Sequence, residues 1–330
     1  MQIQSQDISV VVQGPIYERL SERSNKPLTQ WALESVRAHL PKAEIILSTW
    51  KGSDVKGLDY DVLVENDDPG QITGTVHSAN LNRQIVSTSN GVKRASRPFC
   101  LKMRTDTGLS GAGFANFYGK FKKRLPEYAL FEERLVTIDL FSRRPENVPF
   151  LYHPSDISQF GSTADMRRLW EIPLIKQGEP RYDEFAPENY VFLKALWRGG
   201  FVENPSEEQR FSLKSLRRSE LFLINNYVIV DSKDYGIVLT SRLMNLDIVA
   251  GATYTHRDWL ERYSRYCEEG RAYPKITTQL RSVLSEFIWN ENPVKSFVRK
   301  MPMYSKVKGR LLKAALSLYE SVNRKSATLR

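Results

Sequence analysis

The sequence predicts an α/β fold in which a mostly parallel sheet is flanked by helices. Three observations predict it: short β-branched runs without polar alternation, helical stripes between them, and turn residues that close each run. Strands that alternate with helices at this spacing are joined by crossovers, and crossovers make neighbouring strands parallel.

Residues 8–12, Ile-Ser-Val-Val-Val, read as a buried first strand closed by Gln13-Gly14-Pro15. Thr29 is placed to cap a helix carrying Trp31, Leu33, Val36 and Leu40, which stops before Pro41. Residues 44–47 form a second strand, followed by Ser48-Thr49-Trp50, and residues 60–64 a third, followed by a loop through Asp67, Asp68 and Gly70. Leu81, Ile85 and Val92 share a helical stripe over 77–95, and residues 99–103 make the fourth strand. Beyond the glycine-rich stretch 108–113 the spacing predicts a helix over 114–125 and a strand over 135–140. A helix with Met166, Leu169 and Trp170 comes next, then one opening at Pro187 with Val191, Leu193, Leu196 and Trp197. The aromatics Phe185, Tyr190, Phe192, Trp197 and Phe201 in this half offer sugar stacking or core packing.

The chain has 330 residues, 41% hydrophobic and 26% charged, which is the composition of a folded domain with a sizeable core. Its two cysteines, Cys100 and Cys267, stand in no metal-ligand spacing and point to a reducing compartment. The N-terminus is not patterned as a signal peptide, and the most apolar run, 221–230, is broken by Asn225 and Asn226 and too short to span a bilayer. The expectation is a cytoplasmic protein. The net charge of +10 is uneven: residues 295–330 carry +9 and the remainder +1. A near-neutral domain argues against a nucleic-acid-binding module, which spreads basic charge over its folded face. In the tail, Val307, Leu311, Leu312, Ala315, Leu316 and Tyr319 alternate with Lys306, Lys308, Arg310 and Lys313 as an amphipathic helix with a basic face. Such a helix anchors at an anionic membrane surface or packs on its own domain.

Ligands in such sheets bind beyond the carboxyl ends of the strands, so Gln13, Gly14, Pro15, Thr49 and the residues after Met103 are the ones to weigh. Gln13, directly after an apolar strand, is placed for a nucleotide base or ribose. On the fourth strand Lys102, Arg104 and Asp106 share one face by the period of two. Arg104 and Asp106 form either an ion pair or a phosphate site, Asp106 binding a divalent cation that carries a diphosphate and Arg104 clamping a phosphate oxygen. Asn82 and Arg83, early in the preceding helix, either reach donor phosphates or line a solvated face. Asp156 either binds acceptor hydroxyls or acts as base, or else caps a helix or forms a turn.

The stretches Val11-Val-Gln-Gly-Pro15, Ala43-Glu-Ile-Ile-Leu-Ser-Thr-Trp50, Gly57-Leu-Asp-Tyr-Asp61, Asp68-Pro-Gly70, Asn80-Leu-Asn-Arg-Gln-Ile-Val-Ser-Thr88 and Leu101-Lys-Met-Arg-Thr-Asp106 resemble, in order, the WavE lipopolysaccharide synthesis family, grouped with GT-A-type glycosyltransferases. The resemblance covers roughly residues 8–200. It implies a GT-A-like (Rossmann-like) fold, a nucleotide-sugar donor and a lipid-linked, lipopolysaccharide or capsule glycan acceptor. It implies a metal site where Arg104-Thr-Asp106 stands in place of Asp-x-Asp, with Mn²⁺ or Mg²⁺ as the cofactor. The missing first acid weakens that site. It offers His256 as a downstream metal ligand, against a surface histidine at a helix start. It implies a carboxylate base near a helix start: Glu188 first and Asp156 second, with Asp183 and Glu184 behind them; the alternative for Glu188 is a first-turn acid that suits the helix dipole. The chain then divides into a nucleotide-sugar half (1–110), an acceptor-binding half (111–290) and a basic tail (291–330) that holds the enzyme at the inner leaflet. The rival readings are a nucleotidyl- or phosphotransferase on a similar sheet, and a non-enzymatic basic protein of nucleic acid or membrane surfaces.

Overall fold

Ile8–Gln13 forms strand β1, and every residue of it is buried, which is what a run of three consecutive valines requires of a central strand. A computed structural model describes residues 3–74, 79–148, 150–179, 185–208, 212–246 and 252–270. These lie in one compact unit, Met1–Ser285. The second unit, Glu286–Arg330, lies outside the described residues, and with it the expected basic helix.

Helix α1 (Leu28–His39) follows, then β2 (Glu44–Trp50), β3 (Val62–Asn66), α2 (Leu81–Arg94), β4 (Phe99–Arg104) and β5 (Thr107–Leu109). The second half holds β6 (Leu135–Ile138), β7 (Gln159–Ser162), α3 (Thr163–Trp170), α4 (Pro187–Arg198), α5 (Pro205–Glu208) and α6 (Leu213–Asn226). It ends with β8 (Tyr227–Val230), α7 (Ser232–Tyr235), β9 (Ile237–Leu239), α8 (Ser241–Leu246) and α9 (His256–Tyr263). Among the described residues the main sheet has seven strands in the order β3-β2-β1-β4-β7-β6-β8, and β5 pairs with β9 in a small second sheet. Within the main sheet β7 runs antiparallel to both neighbours and the other pairings are parallel, while β5 and β9 are antiparallel. This is the α/β class expected from the sequence, a mostly parallel sheet flanked by helices.

Packing explains the close contacts. At Gly91 of α2 a Cβ would lie 2.4 Å from Val11 Cγ1, so only glycine lets α2 approach β1 this closely. At Gly108 of β5 a Cβ would lie 2.5 Å from the Trp31 ring, so α1 covers the small sheet through that indole. At the far edge of the main sheet the Tyr227 and Ile229 carbonyls of β8 meet Trp259 Nε1 at 2.8 Å and His256 Nδ1 at 2.7 Å. Helix α9 thereby covers an otherwise open strand edge.

Three expectations are corrected. Thr29 lies inside the first turn of α1, and its hydroxyl accepts the Tyr17 N–H at 2.8 Å instead of capping the helix. The third strand is Val62–Asn66, two residues later than its pattern suggested, because the Asp61 carboxylate takes the Ile45 N–H at 2.7 Å and stays out of the ladder. Residues 114–125 are not an α-helix: they hold one 3₁₀ turn, Gly113–Asn116, and then irregular chain, with Gly119 at φ +68°. Tertiary contacts decide that outcome, since Phe114 packs on Phe160, Phe121 on Trp259, and Asn225 Oδ1 accepts the Leu125 N–H. Asn225 and Asn226, which interrupt the apolar run, are buried clips that hold this segment; Asn226 Oδ1 takes the Leu130 N–H and its amide donates to the Tyr128 carbonyl.

Candidate active site

Because β7 is antiparallel, its start lies at the end of the sheet where β1, β2 and β4 finish. That geometry brings Asp156, just before β7, beside the carboxyl end of β4. Lys102 of β4 is fully buried; its Nζ donates to the Asp156 carbonyl and lies 5.0 Å from the Trp170 ring centroid. The Asp156 carboxylate accepts from Gln84 Nε2 at 2.6 Å. Glu188, in the first turn of α4, lies within the field of Asp156, Arg143 and Lys102. Its Oε2 stands 3.5 Å from His153 Nε2, and its side chain is 12% exposed.

The electrostatics follow from burial. Glu188 is pushed up to about 8 by burial and by the Asp156 charge, with Arg143 and Lys102 opposing. The Lys102 ammonium is pushed down to about 8, burial outweighing the nearby Asp156 carboxylate. A carboxyl and an amine held near neutrality at the carboxyl edge of a parallel sheet are groups suited to proton transfer.

Arg104 and Asp106 stand beside this cluster. Arg104 Nε meets Asp106 Oδ1 at 2.7 Å and its second nitrogen meets Oδ2 at 2.9 Å, a bidentate pair. Burial alone would raise Asp106, but the Arg104 charge and hydrogen bonds hold it below the usual carboxylate value. Arg104 also feels the charge of Asp156. Both oxygens of Asp106 are thus taken by a cation of the chain, and its side chain is only 1% exposed. His256 does not join it: its Nδ1 is held by the Ile229 carbonyl at the outer edge of β8, with β7 and β6 between β8 and β4. Among the described residues no three His, Cys, Asp or Glu side chains are grouped to hold a metal ion. The residues around Asp106 therefore do not fit a resident divalent cation, which needs several free oxygens.

The remaining candidates are engaged elsewhere. Gln13 Oε1 accepts from the Ser87 hydroxyl at 2.7 Å, which turns the amide toward α2. Gly14 sits at φ +127° with Thr105 Oγ1 2.9 Å from where a Cβ would be, and the Pro15 carbonyl accepts from the same hydroxyl. The Gly-Pro turn therefore docks on the end of β4. The Thr49 hydroxyl is 3.3 Å from that of Ser53. Asn82 clips the backbone of Ile175 through both ends of its amide, and Arg83 forms a bidentate pair with Asp68 at 2.7 and 2.6 Å. Asp183 and Glu184 lie outside the described residues. Phe185, Tyr190 and Phe192 are core, while Trp197 is 44% exposed.

Sequence reasoning missed Lys102, Gln84 and His153 as members of the cluster. Lys102 carried a usable signal, a charged residue between Leu101 and Met103 in an otherwise apolar strand. His153 lay inside the Tyr-His-Pro-Ser-Asp run, but no spacing links it to Glu188.

Among solved structures, the chain is similar to TarS 1-349 of S. aureus at 13% identity and a TM-score of 0.34, over 86% of this chain and 80% of that one. It is also similar to HddC from Yersinia pseudotuberculosis complexed with GMP-PN, at 12% identity and a TM-score of 0.28, over 55% and 83%. Likeness this distant carries no argument about the reaction. No curated protein matches the chain. The family comparison is of another order, spanning residues 8–290, which take in β1, the Arg104–Asp106 pair, Asp156 and Glu188. The chain belongs to the WavE lipopolysaccharide synthesis family.

Proposed function

We propose that the enzyme moves a sugar from a nucleotide-sugar donor to a lipid-linked, lipopolysaccharide or capsule glycan acceptor, with Glu188 as the general base. One observation carries the reading: Glu188 and Asp156 come together beside Lys102 and Arg104 at the carboxyl edge of the sheet. The donor diphosphate lies next to Arg104, whose guanidinium Asp106 orients. The acceptor hydroxyl gives its proton to the Glu188 carboxylate as its oxygen attacks the anomeric carbon, and the sugar–phosphate bond breaks to release the nucleoside diphosphate. A single base on the face opposite the leaving group suits inversion. Asp156, tied to Gln84 and Lys102, shapes the field at Glu188 and does not itself take the proton. Because the residues around Asp106 do not fit a cation, the chain's own positive groups offset the diphosphate charge. The basic segment 295–330 brings this cytoplasmic enzyme to the inner leaflet, where lipid-linked acceptors lie.

The test begins with a thermal-shift screen of UDP-, GDP-, CMP- and dTDP-sugars, with and without Mn²⁺. A shift from one nucleotide class that persists in EDTA supports the reading, and a shift that requires Mn²⁺ removes its metal-free part. With the donor so chosen, Glu188→Gln should slow nucleoside diphosphate release by about 10²–10⁴-fold while the protein stays folded. Full activity in Glu188→Gln, or pyrophosphate as the product, would sink the assignment.

A further inference from the structure

The loop between β6 and β7 carries two non-glycine residues in the left-handed region, Phe141 at φ +65° and Tyr152 at φ +53°. That conformation is costly for residues with a Cβ and persists where surrounding contacts impose it. The contacts are visible. The Phe141 carbonyl lies 2.9 Å from His153 Nδ1, and the His153 carbonyl accepts the Arg143 N–H at 2.9 Å. The Tyr152 N–H is taken by the Ser219 hydroxyl at 2.6 Å, and the Tyr152 phenol donates to Glu208 at 2.5 Å. Both strained residues therefore bracket one clamped imidazole, which is 4% exposed and packs on Phe150 with ring centroids 5.2 Å apart.

The clamp fixes the histidine's role at the atom level. With Nδ1–H donating to a carbonyl, the other ring nitrogen, Nε2, faces Glu188 Oε2 at 3.5 Å. That separation is ion-pair distance, and a small rotation of Glu188 closes it to a hydrogen bond. We infer that His153 is the positioning residue for Glu188, its protonated Nε2 orienting one carboxylate oxygen and leaving the other, ionised, for the acceptor hydroxyl. This rests on the reading of Glu188 as base. The need for such a partner is plain from the surroundings. Burial and the Asp156 charge both favour a proton on Glu188; a backbone N–H hydrogen bond and the charges of Arg143 and Lys102 act against them, and the imidazole stands at ion-pair distance to add to these. A base that keeps its proton cannot take another. The imidazolium offsets the two effects that would silence it.

The expected behaviour is reciprocal, because coupling between two titrating groups acts on both. The full-length chain has four histidines, so ring ¹⁵N–¹H spectra are tractable, and His153→Gln assigns the resonance. In Glu188→Gln the His153 midpoint should fall by about one pH unit or more, since its carboxylate partner is gone. In the donor-hydrolysis assay, with the nucleotide sugar selected by thermal shift and water as acceptor, His153→Asn should move the acid limb of kcat/KM to higher pH by about one unit. His153→Gln, which restores a polar group where Nε2 stands, should recover part of that shift. A merely structural histidine would lower activity or melting temperature without moving either midpoint. An unchanged His153 titration in Glu188→Gln overturns the inference even if the histidine variants fail to fold. The two failures are separable: if Glu188→Gln keeps full activity, the base assignment falls; if it loses activity while both midpoints stay put, only the role of His153 falls.

Discussion

Glu188 and Asp106 are both buried carboxylates, and burial pushes both toward neutrality, yet they end on opposite sides of their ordinary values. Asp106 has a guanidinium on both oxygens, whereas Glu188 has a second carboxylate, Asp156, as its strongest neighbour. The pair at β4 is thus held charged, whereas burial and the Asp156 charge favour a proton on Glu188. The structure also changes what a substitution at Asp106 should do. Alanine there removes the partner of a largely buried arginine, so the variant should lose about 3 kcal/mol of stability in denaturant titrations, besides losing turnover. A wild-type midpoint in Asp106→Ala would show that Arg104 is solvated and does not depend on the pair.

Helix α2 and helix α9 show how whole elements hold the site. Gly91→Ala improves helix propensity in principle, but its Cβ would press on Val11 and lie 3.2 Å from Ser48 Cβ. The overpacking should cost about 1–3 kcal/mol, read as a lower denaturation midpoint, and a more stable variant would refute the close approach of α2 to β1. Helix α9 is tied down by a buried charge network. Arg262 bridges Glu146 at 2.5 Å and Glu220 at 2.7 Å, Arg144 meets Glu146 and Asp258, and the Tyr254 and Tyr266 phenols donate to Glu220. Glu146 is held down to about 2: burial would raise it, and the two arginines more than reverse that. A carboxylate lowered in the fold stabilises it above its ordinary value of 4.5, and the contribution is lost as pH falls from there toward 2. Glu146→Gln should therefore lower the melting temperature at pH 7 and flatten its decline between pH 5 and 3, as followed by circular dichroism.

For the whole molecule, charge separates what folds from what docks. The +9 of residues 295–330 stands apart from a nearly neutral remainder, and among the described residues no helix is long and apolar enough to cross a membrane. Under the proposed function, removing 295–330 should abolish binding to vesicles containing anionic lipid and leave nucleotide-sugar binding intact. Persistent vesicle binding would move the contact onto the domain.

The order of strands and helices, the buried character of β1, the grouping of Arg104 with Asp106 and the candidacy of Glu188 and Asp156 were legible in the sequence, because periodicity and turn residues act over a few neighbours. The sequence by itself also determined the family, through motifs kept in order along the chain. Only the tertiary structure decided that Asp156 and Glu188 lie within each other's field, since an antiparallel β7 and the start of α4 must converge from 32 positions apart in the chain. It likewise decided that Asp106 is occupied by Arg104, that His256 closes a sheet edge, and that residues 114–125 forgo a helix. Each of those outcomes is set by which partner reaches a buried polar group or ring first in space, and local pattern carries no record of such distances.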